Sequence, residues 1–182
     1  MKNIIKIVLS FLLLVAFTIS SVSLSADASK KTSYLMNKKK LYTYSQYSDV
    51  TTVKFKQKTE FGYDEWVNKN DIPCFAYKET KNGLYDSFRN KDISYPVKKG
   101  KVWYDKYNKN YKYKIIDSKR TIKTKAGTFK NVIVVKENNT KSKGYSVSYY
   151  APNTGIILLT RSDKTTKYKA KKVVELIKLK NK

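Results

Sequence analysis

Residues 53–61, VKFKQKTEF, alternate apolar and charged side chains almost one by one, and nothing else in the chain constrains its fold as tightly. A repeat of two is the signature of a strand with one covered and one wetted face. Val53, Phe55 and Phe61 fall on one face; Lys54, Lys56, Lys58 and Glu60 fall on the other. YKYKII repeats the pattern, with Tyr111, Tyr113 and Ile115 opposite Lys112 and Lys114. In YSVSYY, Tyr145, Val147 and Tyr149 oppose Ser146 and Ser148. The abundance of Tyr, Thr, Val and Ile suits a pleated, half-buried surface.

Turn chemistry separates these runs at hairpin spacing. Asn82-Gly83 lies between CFAYKET and LYDSF, and Asn-Gly is a strong hairpin signal because both residues tolerate positive φ. Gly100, Gly127 and Gly155 read as corners in the same way. Gly127 could instead belong to a phosphate-cradling loop. Such a loop needs several glycines and a following helix, whereas Gly127 is alone and Val132-Ile133-Val134-Val135 is strand material covered on both faces. YDEWVNKND suggests at most a turn. KAKKVVELIKLK, over 170–180, is read as a closing strand rather than a helix, because it is short, branched and poorly capped. These features predict a mainly β, antiparallel meander of eight or nine strands, curled into a barrel-like or sandwich shape that hides its edges. YLMNKKKLYTYSQYS and YPVKKGKVWYDKYN share a rough outline and hint at two halves.

The N-terminus has a basic start (Lys2, Lys6), an uncharged apolar core up to Ile19, and small residues with Ala26 and Ala28 in an A-x-A arrangement. This is the pattern of a secretory signal peptide over residues 1–28, with the apolar stretch short for a spanning helix. Cleavage leaves Ser29–Lys182 as a single domain, secreted into the medium or held at the cell wall. Cys74 is the only cysteine, so an internal disulfide is excluded and the core alone must stabilise the fold. The flanking Pro73 and Phe75 suggest a buried thiol.

The chain carries 39 Lys and Arg against 14 Asp and Glu, a net charge of +25; loss of the signal peptide leaves about +24. Three of the cations are arginine: Arg89, Arg120 and Arg161. Lysine is a hydrated point charge without arginine's planar fork, so the charge reads as a field for an anionic surface. There is no histidine, which removes the commonest general base, the usual nucleophilic triads and ordinary zinc sites. Asp64, Glu65 and Asp71 lack the ligand pattern of a calcium loop and read as solvated acids answering nearby lysines. No enzyme activity, catalytic residue, metal or cofactor is expected.

YPVKKGKVW (95–103), KTKAGTFKNVIVVK (123–136) and YYAPNTGII (149–157) occur in that order. They resemble the Pro-Leu-x-x-Gly-x-x-Trp, Thr-x-Ala-Gly-Thr-Phe-x-Asn-Val and Tyr-Tyr-Ala-x-x-x-Gly signatures of a β-rich domain in secreted proteins and lipoproteins of Gram-positive bacteria. The resemblance covers about residues 95–180 and departs from the pattern at Val97 and Lys125. It implies a β-rich fold and an exported location, and it supplies no catalytic residue. The same motifs read structurally: Trp103, Phe129 and Tyr149 look like core anchors between glycine corners.

Two functions fit. Lysine interleaved with tyrosine, as in WYDKYNKNYKYK (103–114), has the composition of a polyanion-binding groove with stacking aromatics. Lys54, Lys56, Lys58, Lys112 and Lys114 are the candidate contacts. The expected partner is an anionic wall polymer such as teichoic acid, or an acidic membrane surface, with nucleic acid only as a non-specific ligand. Alternatively the curled sheet encloses an apolar cavity and carries a small ligand. Simple alternation, with tyrosines inward and lysines wetted, explains the same composition without any ligand.

Overall fold

Alternation builds one antiparallel sheet. The structure is a computed structural model that describes residues 32–164, 166–167 and 169–182; the expected signal peptide lies outside them. The strands are β1 (Lys40–Gln46), β2 (Asp49–Lys58), β3 (Asp64–Val67), β4 (Pro73–Thr80), β5 (Gly83–Asp86) and β6 (Lys91–Ser94), followed by β7 (Val102–Tyr104), β8 (Tyr111–Thr124), β9 (Gly127–Asn139), β10 (Tyr145–Ala151), β11 (Gly155–Ser162) and β12 (Lys171–Asn181). Their order in the sheet is β6-β5-β4-β3-β2-β1-β12-β11-β10-β9-β8-β7. Residues 170–180 therefore form the expected closing strand: β12 pairs with β1, and the sheet curls into a nearly closed barrel.

The open seam lies mid-chain, between β6 and β7. There the Trp103 indole N–H donates to the Lys91 carbonyl at 2.7 Å, while its ring stacks on Tyr113 at 5.6 Å. The seam divides the strands into two runs of six, and the paired segments YLMNKKK and YPVKKGK lead into β1 and β7, the first strand of each. Tyr34 and Tyr95 of those segments are both buried and meet on one carboxylate. Glu79 accepts from the Tyr34 backbone N–H at 3.0 Å and from the Tyr95 hydroxyl.

The expectation of eight or nine strands is corrected to twelve. β3, β5, β6 and β7 are only three or four residues long, too short for a repeat of two to register. The turn expected at YDEWVNKND is therefore partly a strand. Phe61, expected beside Val53 and Phe55, is 66% exposed in the β2–β3 turn.

The hairpin corners also sit one residue earlier than Asn-Gly pairing suggests. Thr80 pairs with Gly83 and Thr124 with Gly127, so Lys81-Asn82 and Lys125-Ala126 turn the chain and each glycine opens the returning strand. Gly83, Gly100, Gly127 and Gly155 all have positive φ. Gly127 thus marks a hairpin and not a phosphate loop.

The core runs through the barrel: Tyr42, Val53, Trp66, Ile93, Ile115, Ile133 and Leu176 are almost entirely buried. Trp103 belongs to it, while Phe129 and Tyr149 pack against it half-buried. Val132–Val135 are all buried, as expected for a strand covered on both faces. Residues 33–36 close the end where β4 meets β5 and β10 meets β11. Asn153 N–H donates to the Ser33 carbonyl at 2.8 Å, and Met36 packs on Gly155. Three register shifts bend the long β8–β9 hairpin so that its tip reaches β12. The Lys125 N–H meets Glu175 Oε1 at 3.2 Å and the Ala126 N–H meets the Leu176 carbonyl at 3.3 Å.

Cys74 is exposed rather than buried. It is the extra residue of a β-bulge, because Trp66 pairs with Phe75 and Val67 with Pro73. A bulge takes its residue out of the alternation, which a Pro-Cys-Phe reading cannot foresee.

Candidate functional site

The five candidate lysines do not form one patch. Lys54 and Lys56 are exposed on β2, whereas Lys112 and Lys114 lie on β8, with β1 and β12 to β9 between them. In a curled twelve-stranded sheet that separation places them on opposite walls. Lys58 also leaves its group. β2 bulges between Phe55, which pairs with Trp66, and Gln57, which pairs with Glu65. One extra residue flips the alternation beyond it, so Lys58 pairs with Asp64, out of phase with Lys54. Lys56 stands 3.8 Å from Asp71.

The acids of the same region disperse likewise. Asp64 is buried and holds Lys38 at 2.7 Å, Glu65 accepts from Gln57 at 3.3 Å, and Asp71 faces Lys56. Among the described residues, no group of three or more Cys, Asp or Glu is placed to hold a metal ion.

The β8 lysines, in contrast, gain company. Tyr113 and Ile115 face the interior, so Lys112 and Lys114 point outward. Lys112 lies between Tyr104 of β7 and Asn138 of β9; Lys114 lies between Val102 and Lys136. Val102 and Tyr104 are exposed beside them. Lys112, Lys136 and Lys143 line a pocket of about 390 Å³ with Asn138, Thr140 and Tyr145, and no carboxylate lines it.

The β9–β10 turn that carries Lys143 is held in place. Thr140 N–H donates to the Asn110 carbonyl at 2.8 Å, and Lys141 N–H to Asn139 Oδ1 at 2.9 Å. Lys136 Nζ stands 4.3 Å from the centre of the Tyr145 ring, a cation–π contact that fixes the ammonium over the pocket wall. Like charges directly opposite on neighbouring strands, such as Lys114 and Lys136, are destabilising without an anion between them. Lys136 and Lys143 were not singled out in the sequence. The signal for Lys136 was present, since Val132, Val134 and Lys136 continue one alternation.

A second feature escaped the sequence altogether. Asp86, Asp92, Asp105 and Glu137 come from four segments to the end of the barrel opposite the one that residues 33–36 close. Burial, Asp86 and Glu137 push the Asp92 carboxyl up to about 7, against a stabilising bond from Tyr150. Burial likewise raises Glu137 and, together with Asp92, holds Tyr150 well above the usual phenol range.

No family model matches the chain, and no curated protein matches it. Among solved structures, it is similar to a candidate exported protein of Bacteroides fragilis with a YmcC-like fold. That match has 18% identity and a TM-score of 0.48, and covers 82% of this chain and 100% of the other. A candidate lipoprotein of Parabacteroides distasonis is similar at 17% identity and a TM-score of 0.43, covering 82% of this chain and 99% of that one. Neither name assigns a ligand.

Proposed function

We propose that this is an exported, non-enzymatic envelope protein that holds an anionic, phosphate-bearing wall polymer on its β7–β10 outer wall. The observation that carries the reading is the carboxylate-free pocket lined by Lys112, Lys136 and Lys143, with Lys114 beside it and Tyr104 exposed at its edge. Phosphate groups need point charges and hydrogen-bond donors, and three ammonium groups with the Asn138 amide and Thr140 hydroxyl offer both. Export rests on the charge and apolar pattern of residues 1–28. Lysine in place of arginine favours attraction without bidentate selection, so the polymer's detailed chemistry should matter little.

Retention on purified walls, with and without teichoic acid and over a salt series, tests this. Affinity should fall at least tenfold between about 50 mM and 200 mM salt, as counterion release requires. Replacing Lys112, Lys114 and Lys136 by glutamine should weaken retention about tenfold or more, while the pair Lys54→Gln and Lys56→Gln on the opposite wall should change it by less than about threefold. Equal losses in the two variants would mean that diffuse charge, and not this wall, does the binding. Undiminished binding to stripped walls would remove the polymer from the reading.

A further inference from the structure

We infer a second, independent site: the barrel end opposite residues 33–36 takes one small, uncharged, mainly apolar molecule. A cavity of about 360 Å³ opens there between β1, β2, β4, β11 and β12, walled by Tyr44, Val53, Phe75, Leu159 and Val174. Protein interiors are otherwise close-packed, and this volume lies within the range of small-molecule pockets.

The lining states the chemistry of the occupant. None of its residues is charged, although 29% of the chain is. The neighbouring recess on β9–β11 is lined by Glu137, Arg161 and Asp163. An ion entering the uncharged cavity would lose its hydration without gaining a partner. The Tyr44 hydroxyl is already committed, donating to the Ile156 carbonyl at 2.9 Å, so Tyr44 presents only its ring. Side-chain polar capacity is confined to the Gln46 amide, the Thr51 hydroxyl and the weakly polar Cys74 thiol. The ligand is therefore an aromatic or branched apolar skeleton carrying one or two neutral hydrogen-bonding groups.

The strands around the cavity are irregular where they border it. Cys74 is the bulged residue of β4, and β12 slips by one residue between the pairs Leu159–Val174 and Thr160–Lys172. Bulges re-aim side chains at barrel rims and beside binding sites. Here one of them brings the exposed Cys74 into the cavity lining, its thiol donating to the Ile72 carbonyl at 3.4 Å.

That thiol makes the test direct. The purified protein is titrated with N-phenylnaphthylamine, a neutral dye that brightens in apolar surroundings, and Cys74 is timed against a neutral pyridyl disulfide. The dye should saturate a single site with affinity unchanged from about 50 to 200 mM salt, unlike the outer wall. Saturating dye should slow the Cys74 reaction about tenfold, the factor expected when about 90% of the sites are occupied. Leu159→Trp, which fills the cavity, should abolish both effects, while the Lys112, Lys114 and Lys136 glutamine variant should keep them. Non-saturating or salt-sensitive dye binding overturns the inference, as does a Cys74 rate indifferent to the dye. Should Leu159→Trp fail to fold, the Cys74 rate in the unaltered protein decides alone.

Discussion

Gly83 and Gly127 both open a returning strand, yet for different reasons. A Cβ at Gly83 would stand 2.2 Å from the Ile93 carbonyl oxygen, whereas one at Gly127 would meet nothing within 4 Å. Gly83→Ala must push β6 away as well as bear an unfavourable φ, and should cost about 2–4 kcal/mol. Gly127→Ala meets only the φ penalty and should cost about 1 kcal/mol. Urea titration of both decides; equal losses would refute the close approach. Asp92 gives a pH dependence of fixed sign. Its carboxyl titrates near 3.8 unfolded and about 7 folded, so between those values the folded state binds the extra proton. Stability should therefore fall as pH rises from about 4 to 7 and level off above. The whole shift is worth about 4 kcal/mol; Asp92 as a residue is only partly buried, so a fall of about 1–3 kcal/mol is expected. Asp92→Asn should flatten the profile, and an unchanged slope would assign it to other carboxyls.

At the scale of elements, the seam is the weak point of the barrel. The β6 and β7 edges are four and three residues long and are joined through Trp103. Trp103→Phe keeps an aromatic ring against Tyr113 but removes the donor to the Lys91 carbonyl. It should cost about 1–2 kcal/mol and speed amide exchange in β6 and β7 more than in β1 and β12. Uniform acceleration would mean that the seam is held elsewhere. Short edge strands also limit the open pairing that edges offer to other chains. The element scale explains where alternation misled as well. Phe55 and Lys54 take the expected sides of β2, but one bulged residue carries Lys58 out of phase, and a bulge leaves no mark in a composition of lysines and aromatics.

For the whole molecule, the order of strands decides which lysines can act together. Lys112 and Lys114 were legible as a wetted face of YKYKII, and the structure adds Lys136 and Lys143 because β8, β9 and β10 are neighbours. Lys54 and Lys56 looked equivalent in the sequence, and five intervening strands set them on the far wall. By itself the sequence determined the strand character, the positive φ of Gly83, Gly100, Gly127 and Gly155, and the closing role of residues 170–180. These depend on local sterics and on a repeat of two, which neighbours along the chain enforce. Only the tertiary structure decided the count of twelve strands, the exposure of Cys74, the carboxylates gathered at one end and the uncharged cavity between β1, β2, β4, β11 and β12. The first two turn on strands too short for a repeat of two and on one bulged residue in a local hairpin; the last two arise from curvature, which brings together residues tens of positions apart.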